Sequence, residues 1–294
     1  MRVTEHEPLA RHGYWRVGGP MDRFVVVETL DELGEVAPGA LVLGRGSNLL
    51  APDVGLRGTT VRLGRGFAAW EVLGPHGGAV RVRVGAGAGN VAVLAALSAR
   101  YRGLGPLAGV PGTIGGAIAM NAGTALGEIE RVVAVVEGLD PAGHLLRIPR
   151  AALPMHYREG GLPAGFIVTA VELDLHEDGV AEEQAAVRAH LERRRATQPL
   201  ELPSCGSVFR NPPGDAAGRL IESVGLKGTR IGGAEISARH ANFIVNTGGA
   251  TAADVMACIR QAWTAVGEQT GVSLVPEVRV VGEWDPAVWP LRRG

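Results

Sequence analysis

Three clusters in the 294-residue chain combine residue types that can do chemistry. The first is Gly44-Arg45-Gly46-Ser47-Asn48-Leu49, where two glycines bracket a polar group directly after an apolar run. Successive N–H groups in such a turn form a nest for an anion, and the same residue types also make ordinary turns. The second runs from Gly105 to Gly123, GPLAGVPGTIGGAIAMNAG, with six glycines in nineteen residues and no charge. Each glycine costs a helix about 1 kcal/mol relative to Ala, so this density asks for close backbone approach or positive φ. A phosphate held by bare N–H groups meets that demand, and so does a tight apolar turn. Two such loops gripping one pyrophosphate suit a large dinucleotide such as FAD better than a mononucleotide. The third cluster is Ser204-Cys205-Gly206-Ser207-Val208-Phe209-Arg210-Asn211-Pro212. It has no G-x-S-x-G elbow and no nearby His to activate a nucleophile, so a serine here is either a proton donor beside an anionic intermediate or structural.

A fourth glycine run, Gly85-Ala86-Gly87-Ala88-Gly89-Asn90, lies between a strand and a helix, as a Rossmann fingerprint would. Asn90 stands where that pattern needs glycine, and the next acid is Glu128, too far on to hold a ribose. These glycines therefore read as a tight strand-to-helix turn.

The elements that must position these clusters follow from periodicity. Strands are expected at 24–27, 41–43 and 58–63, with a short helix opened by Asp31 and Glu32. Val80 to Val84 alternates strictly, as a half-buried strand does. A helix is expected over 90–101, stopped by Gly103, then strands at 132–136, 145–148 and 166–175 and a charge-rich amphipathic helix over 182–195. Consecutive strands without helices between them argue for an antiparallel sheet and an α+β class. Composition changes at TQPLELPS (197–204), which marks a boundary. Beyond it come a strand at 207–209, a helix at 216–224 closed by Gly225, and a strand at 242–246. A helix follows with Thr251 as N-cap, Asp254 in an incomplete capping box, and Val255, Ile259, Ala262 and Val266 facing the core. A strand over 275–281 closes the chain, its valines inward and Glu277 toward a pocket or water.

Composition excludes several classes. With 46% hydrophobic residues and net charge −1, the chain can bury a large core and has no electrostatic case for nucleic acid or a membrane surface. Lys227 is the only lysine; the arginine excess accompanies abundant Ala, Gly, Pro and Val and reads as coding bias. Cys205 and Cys258 have neither metal-ligand nor disulfide spacing, and the N-terminus lacks the apolar core of a signal peptide, so a cytoplasmic location is expected and no metal.

The ordered blocks YWRVGGP (14–20), LGRGSNLL (43–50), GVPGTIGGAIAMNAG (109–123), YR (157–158), QPLELPSCGSVFRNP (198–212), AGRLIESVGLKG (217–228), ISARHANFIVN (236–246) and PEVRVVG (276–282) span almost the whole chain. In them the chain resembles the UDP-N-acetylenolpyruvoylglucosamine reductase family, in its shorter, type II-like subtype. The resemblance implies an α+β fold with a two-part FAD-binding module of the vanillyl-alcohol-oxidase type, residues 1–63 and 64–196, and an α+β substrate-binding domain over 197–294. It implies non-covalent FAD, NADPH as hydride donor and a UDP-sugar substrate, with no nucleic acid, membrane insertion or inferable protein partner. The expected reaction adds hydride to C3 of an enolpyruvyl ether and a proton to C2. The family's proton-donating serine maps to Ser207, its carboxylate-binding arginine to Arg158 and its catalytic glutamate to Glu277. Cofactor contacts fall on Gly44, Arg45, Gly46, Ser47, Asn48, Leu49, Pro111, Gly112, Ile114, Gly115, Gly116, Asn121, Ala122, Gly123 and Arg194. Substrate contacts fall on Tyr157, Asn211, Arg219, Arg239 and His240. Two departures from the family pattern lie near Arg158: Thr124-Ala125-Leu126 lacks an aromatic, and Gly160 stands where many relatives have Ser. The competing reading is another FAD-dependent oxidoreductase on the same module, acting on an alcohol or hydroxy acid.

Overall fold

A computed structural model describes residues 1–291. In chain order the elements are β1 (Arg2–Pro8), β2 (Pro20–Val27), α1 (Leu30–Val36), β3 (Leu41–Val42), β4 (Leu49–Leu50), β5 (Leu56–Leu63), β6 (Trp70–His76) and β7 (Ala79–Gly85). Next come α2 (Asn90–Leu97), α3 (Ile114–Ala119), β8 (Gly123–Thr124), β9 (Gly127–Glu128), β10 (Val133–Leu139), β11 (Leu145–Pro149), β12 (Ile167–Leu175) and α4 (Val180–Thr197). The last are α5 (Ala217–Ser223), β13 (Arg230–Ile231), β14 (Ala234–Ile236), β15 (Ile244–Asn246), α6 (Ala252–Thr270) and β16 (Arg279–Val280). The chain divides into two compact units. The first holds residues 1–4, 24–45 and 59–193; the second holds 5–23, 46–58 and 194–294.

The first unit is built on an antiparallel five-stranded sheet of order β11-β10-β12-β7-β6. The alternation of β7 is realised as expected: Val82 and Val84 are fully buried among Leu97, Ile114, Ile118, Val136 and Val171. Its arginines take the other face. There Arg81 pairs with Asp174 and Glu172, and Arg83 with Glu137 and Glu71, while Arg147 also reaches Glu137 and Glu172. Opposite charges on directly paired strands favour this register over a slip. A second cluster gathers Val25, Val27, Leu33, Val36, Val61 and Phe67. Here β3 runs parallel to β5, with Leu41 opposite Thr60 and Val42 opposite Val61.

The second unit centres on α6. Val255, Ile259, Ala262 and Val266 are buried, as their spacing requires. The capping box is complete rather than partial: Thr251 accepts from the Asp254 N–H, and the Asp254 carboxylate accepts from the Thr251 N–H. A shorter acid can therefore close the box that Glu usually closes. Gly271 ends the helix in the left-handed region at φ 74°. The segments at 5–23 and 46–58 join this unit through specific bonds. Trp15, fully buried, donates its indole N–H to the Ile244 carbonyl at 2.6 Å, and Asn246 donates back to the Trp15 carbonyl at 2.9 Å.

Several elements are shorter than their patterns predict. The helix from Asn90 stops at Leu97, and the strand expected over 275–281 is regular only at Arg279–Val280. Ser207 and Phe243, and Phe209 and Pro276, make isolated bridges, not ladders. Loop geometry at the site, described next, takes precedence over strand propensity there. Strands β1 and β6 and the β13–β14 hairpin lie outside the expected elements.

Candidate active site

In the first unit, Gly44 meets the 105–123 segment: a Cβ on Gly44 would lie 3.0 Å from the Thr113 hydroxyl. Thr113 in turn caps α3, its hydroxyl accepting from the Gly116 N–H. Gly112 has φ 117° and its carbonyl accepts from the Asn90 N–H, while the buried Asn90 side chain reaches the Val110 and Pro111 carbonyls. Asn90, which spoils the Rossmann pattern, thus holds the second glycine loop. Gly115 is glycine for packing, because its Cβ would come within 3.0 Å of the Ala86 methyl. Ile114 and Ala122 turn their side chains into the core. Asn121 is fully buried and its amide bridges the His156 carbonyl and the Glu130 N–H, so its side chain holds the loop in place.

The fit of these loops to a diphosphate shows in the charge beside them. Arg62 donates through Nε to the Gly44 carbonyl at 3.1 Å. Burial holds the Arg62 guanidinium below its ordinary range, and the nearby Arg45 and Arg2 lower it further. Three arginines within electrostatic reach of one glycine loop repel each other, and an anionic pyrophosphate relieves that repulsion. Gly44 and Arg45 thus lie beside the Arg62 guanidinium in cationic surroundings that fit a diphosphate such as that of FAD.

Arg158 occupies the tip of a turn closed by paired bonds between His156 and Glu159, at 2.9 and 2.8 Å. Its φ is 61°, a conformation that costs a non-glycine residue on the order of 1 kcal/mol or more. Its guanidinium donates to the Gly123 carbonyl at 3.0 Å and lies 4.7 Å from the Tyr157 ring centroid. The cation–π contact and this bond aim Arg158 and account for Tyr157 beside it. Gly160 follows because a Cβ there would strike the Ile118 carbonyl at 2.1 Å.

In the second unit, Ser207 and Glu277 are brought onto neighbouring segments. The Glu277 N–H donates to the Val208 carbonyl at 2.7 Å, and Phe209 bridges Pro276. On the other side Ser207 bridges Phe243, and the buried Asn242 brackets Phe209. Its Oδ1 accepts from the Phe209 N–H at 2.9 Å, and its Nδ2 donates to the Phe209 carbonyl at 2.8 Å. Gly206, at φ 76° with open space where a Cβ would sit, gives the turn that presents Ser207.

The first glycine loop continues into this unit. Gly46, at φ 60°, has no room for a Cβ, which would meet Gly13 Cα and the His12 carbonyl at 2.8 Å. Asn48 donates from its side chain to the Glu277 carbonyl at 3.0 Å and accepts on its own carbonyl from Arg279. Leu49 pairs in parallel with Arg279. Asn48 and Leu49 thus couple the loop that holds Ser47, expected to touch the cofactor, to the segment that carries Glu277. Cys205 seals the same junction, its thiol 3.6 Å from the Gly46 carbonyl and pushed by burial up to about 12.

The expected substrate contacts have structural partners as well. Asn211 accepts from the Ala217 N–H and so caps α5. Arg219 is exposed and paired bidentately with Asp215. Arg239 spans the last-turn carbonyls of α4 and Glu201. Arg194 donates to Gln198 at 2.8 Å, and burial lowers its guanidinium. His240 is half-buried against Phe243; burial pushes its imidazole down, and its Nδ1 faces the Asn242 N–H at 3.3 Å. That contact places the remaining proton on Nε2. Asn90, Arg62 and Asn242 were not among the expected site residues. Asn242 lies inside ARHANF, but nothing in residue type distinguishes it there.

A model of the FAD binding domain matches residues 26–149, and a model of the C-terminal domain of UDP-N-acetylenolpyruvoylglucosamine reductase matches 198–281. The UDP-N-acetylenolpyruvoylglucosamine reductase of Anaeromyxobacter sp. (strain Fw109-5) is 45% identical over 292 residues, 96% of this chain and 89% of its own. That of Alkalilimnicola ehrlichii is also 45% identical and covers 94% of both chains. The crystal structure of the Thermus caldophilus reductase superposes with a TM-score of 0.82 at 37% identity, over 95% of this chain and 98% of the other.

Proposed function

The chain belongs to the UDP-N-acetylenolpyruvoylglucosamine reductase family, and from that premise we propose how its residues divide the chemistry. The reaction is the NADPH-driven, FAD-dependent reduction of UDP-N-acetylglucosamine enolpyruvate to UDP-N-acetylmuramate, a step in peptidoglycan precursor synthesis. When bound and reduced, FAD supplies the hydride added to C3 of the enolpyruvyl group. Gly44, Arg45, Gly112 and Gly116, with Arg62, hold its phosphates.

Arg158 binds the substrate carboxylate by charge-assisted bonds and stabilises the negative charge that spreads over C2 and that carboxylate. Ser207 delivers a proton to C2 from its hydroxyl. Glu277, on the segment bonded to Val208, holds or shares a proton so that it supports Ser207 without repelling the enolate. His240, neutral and carrying its proton on Nε2, suits donation to a sugar or diphosphate oxygen. Arg219 and Arg239 would have to exchange Asp215 and the α4 carbonyls for the nucleotide. The observation that carries this assignment is the bond from the Glu277 N–H to the Val208 carbonyl, which keeps acid and serine in register.

The test is Ser207→Ala. NADPH should still reduce the flavin at the wild-type rate, and reoxidation by the enolpyruvyl sugar should slow by about a hundredfold or more. Equal slowing of both half-reactions would remove Ser207 from the proton step.

A further inference from the structure

Glu128 belongs to none of the motifs above, and its carboxylate faces Arg158. We propose that Glu128 is the resting counter-ion of Arg158, a charge that the substrate carboxylate replaces. This rests on the reading of Arg158 as the carboxylate-binding residue.

Three observations within the first unit carry it. The Glu128 Oε1 lies 3.7 Å from Arg158 Nη1, close enough for attraction and too far for a hydrogen bond. That oxygen is shielded from solvent and has no hydrogen-bond partner among the described residues. A burial this incomplete in its bonding is costly unless something else is served by it. The approach is also built in by the backbone. A Cβ on Gly123 would lie 2.2 Å from the Gly127 carbonyl and 2.8 Å from Glu128 Cγ. Gly127 has φ 120°, and a Cβ there would lie 2.6 Å from Arg131 Nη1. Two glycines in the β8–β9 hairpin are therefore what lets the Glu128 side chain reach Arg158, while the Gly123 carbonyl takes Nη2.

The consequence is an exchange of partners. A substrate carboxylate meets a guanidinium at about 2.7–2.9 Å with two parallel bonds. It makes a closer pair than Glu128 does, so it displaces that contact without disturbing the bond to Gly123. In the absence of substrate, Glu128 neutralises Arg158 and raises the threshold for any anion, substrate or simple salt, to bind there.

Glu128→Gln keeps the shape and removes the charge. In the FAD-loaded protein, KM for UDP-N-acetylglucosamine enolpyruvate should fall about twofold to fivefold, the scale of a partly exposed ion pair. The kcat should stay within about twofold, and chloride should inhibit at lower concentration than in wild type. Substrate affinity read from the visible spectrum of the oxidised flavin, without turnover, should tighten in parallel. An unchanged or raised KM in the variant, with wild type active, overturns the assignment of Glu128 alone. A wild-type protein that does not turn the sugar over overturns the functional reading, and the role of Glu128 falls with it. Should the Gln variant fail to fold, Glu128→Asp draws the carboxylate back by one methylene; KM should then fall by less, and a rise would contradict the proposal.

Discussion

At the scale of the residue, the site is a set of strained or buried groups whose partners are backbone atoms. Arg158 sits at positive φ and is held by a carbonyl, Ser207 follows a left-handed glycine, and Asn242 spends its whole amide on Phe209. Backbone partners leave few traces in residue type, which is why Arg158, Ser207 and Glu277 stand out only through the blocks that contain them. Glu128, Asn90 and Asn242 do not stand out at all. His240 supports a prediction at this scale. Its folded-state pKa is depressed by burial, so the native protein keeps it neutral where the unfolded chain, near 6.5, takes a proton. The unfolded state then binds more protons, and stability falls as pH drops below about 6.5 toward the folded value. Urea denaturation at pH 7.5 and 5.5 should show a larger loss in wild type than in His240→Asn; equal losses would mean that His240 is not the group responsible.

At the scale of the element, local signals set the periodic elements and distant contacts set the rest. The alternation in β7 and the 3.6-residue stripe of α6 were legible because burial of one face repeats along the sequence. The strands at 207–209 and 275–281 were not legible as loops, since their pairing to 242–243 and to Asn48 is decided by groups far along the chain. The start of α6 shows both kinds of signal. Thr251 and Asp254 are local, whereas the Asp53 carboxylate accepts the Ala252 and Ala253 N–H groups at 2.8 and 2.9 Å from 199 and 200 residues away. Asp53→Ala should therefore cost about 1 kcal/mol or slightly more, comparable with losing the Thr251 cap. Chemical denaturation checks this: Asp53→Asn should recover part of the loss, and no loss for Asp53→Ala would deny it a role in closing the helix end.

At the scale of the whole molecule, the α+β class was readable from consecutive strands, and the cofactor only from the family blocks that contain the two glycine loops. The grouping of 5–23 and 46–58 with the last hundred residues was not, because Trp15, Asn48 and Asp53 make that join through a few hydrogen bonds that composition does not record. No helix among the described residues is long and apolar enough to cross a membrane. The first glycine loop is shared between the units: Gly44 and Arg45 belong to one, and Gly46 to Leu49 to the other. The central claim is that this molecule passes hydride from NADPH, by way of FAD, to an enolpyruvyl sugar. Stopped-flow mixing of the NADPH-reduced protein with UDP-N-acetylglucosamine enolpyruvate tests it most directly. The account predicts rapid, stoichiometric return of the oxidised flavin spectrum with formation of UDP-N-acetylmuramate. A flavin that stays reduced in the presence of the sugar, under anaerobic conditions, would contradict it.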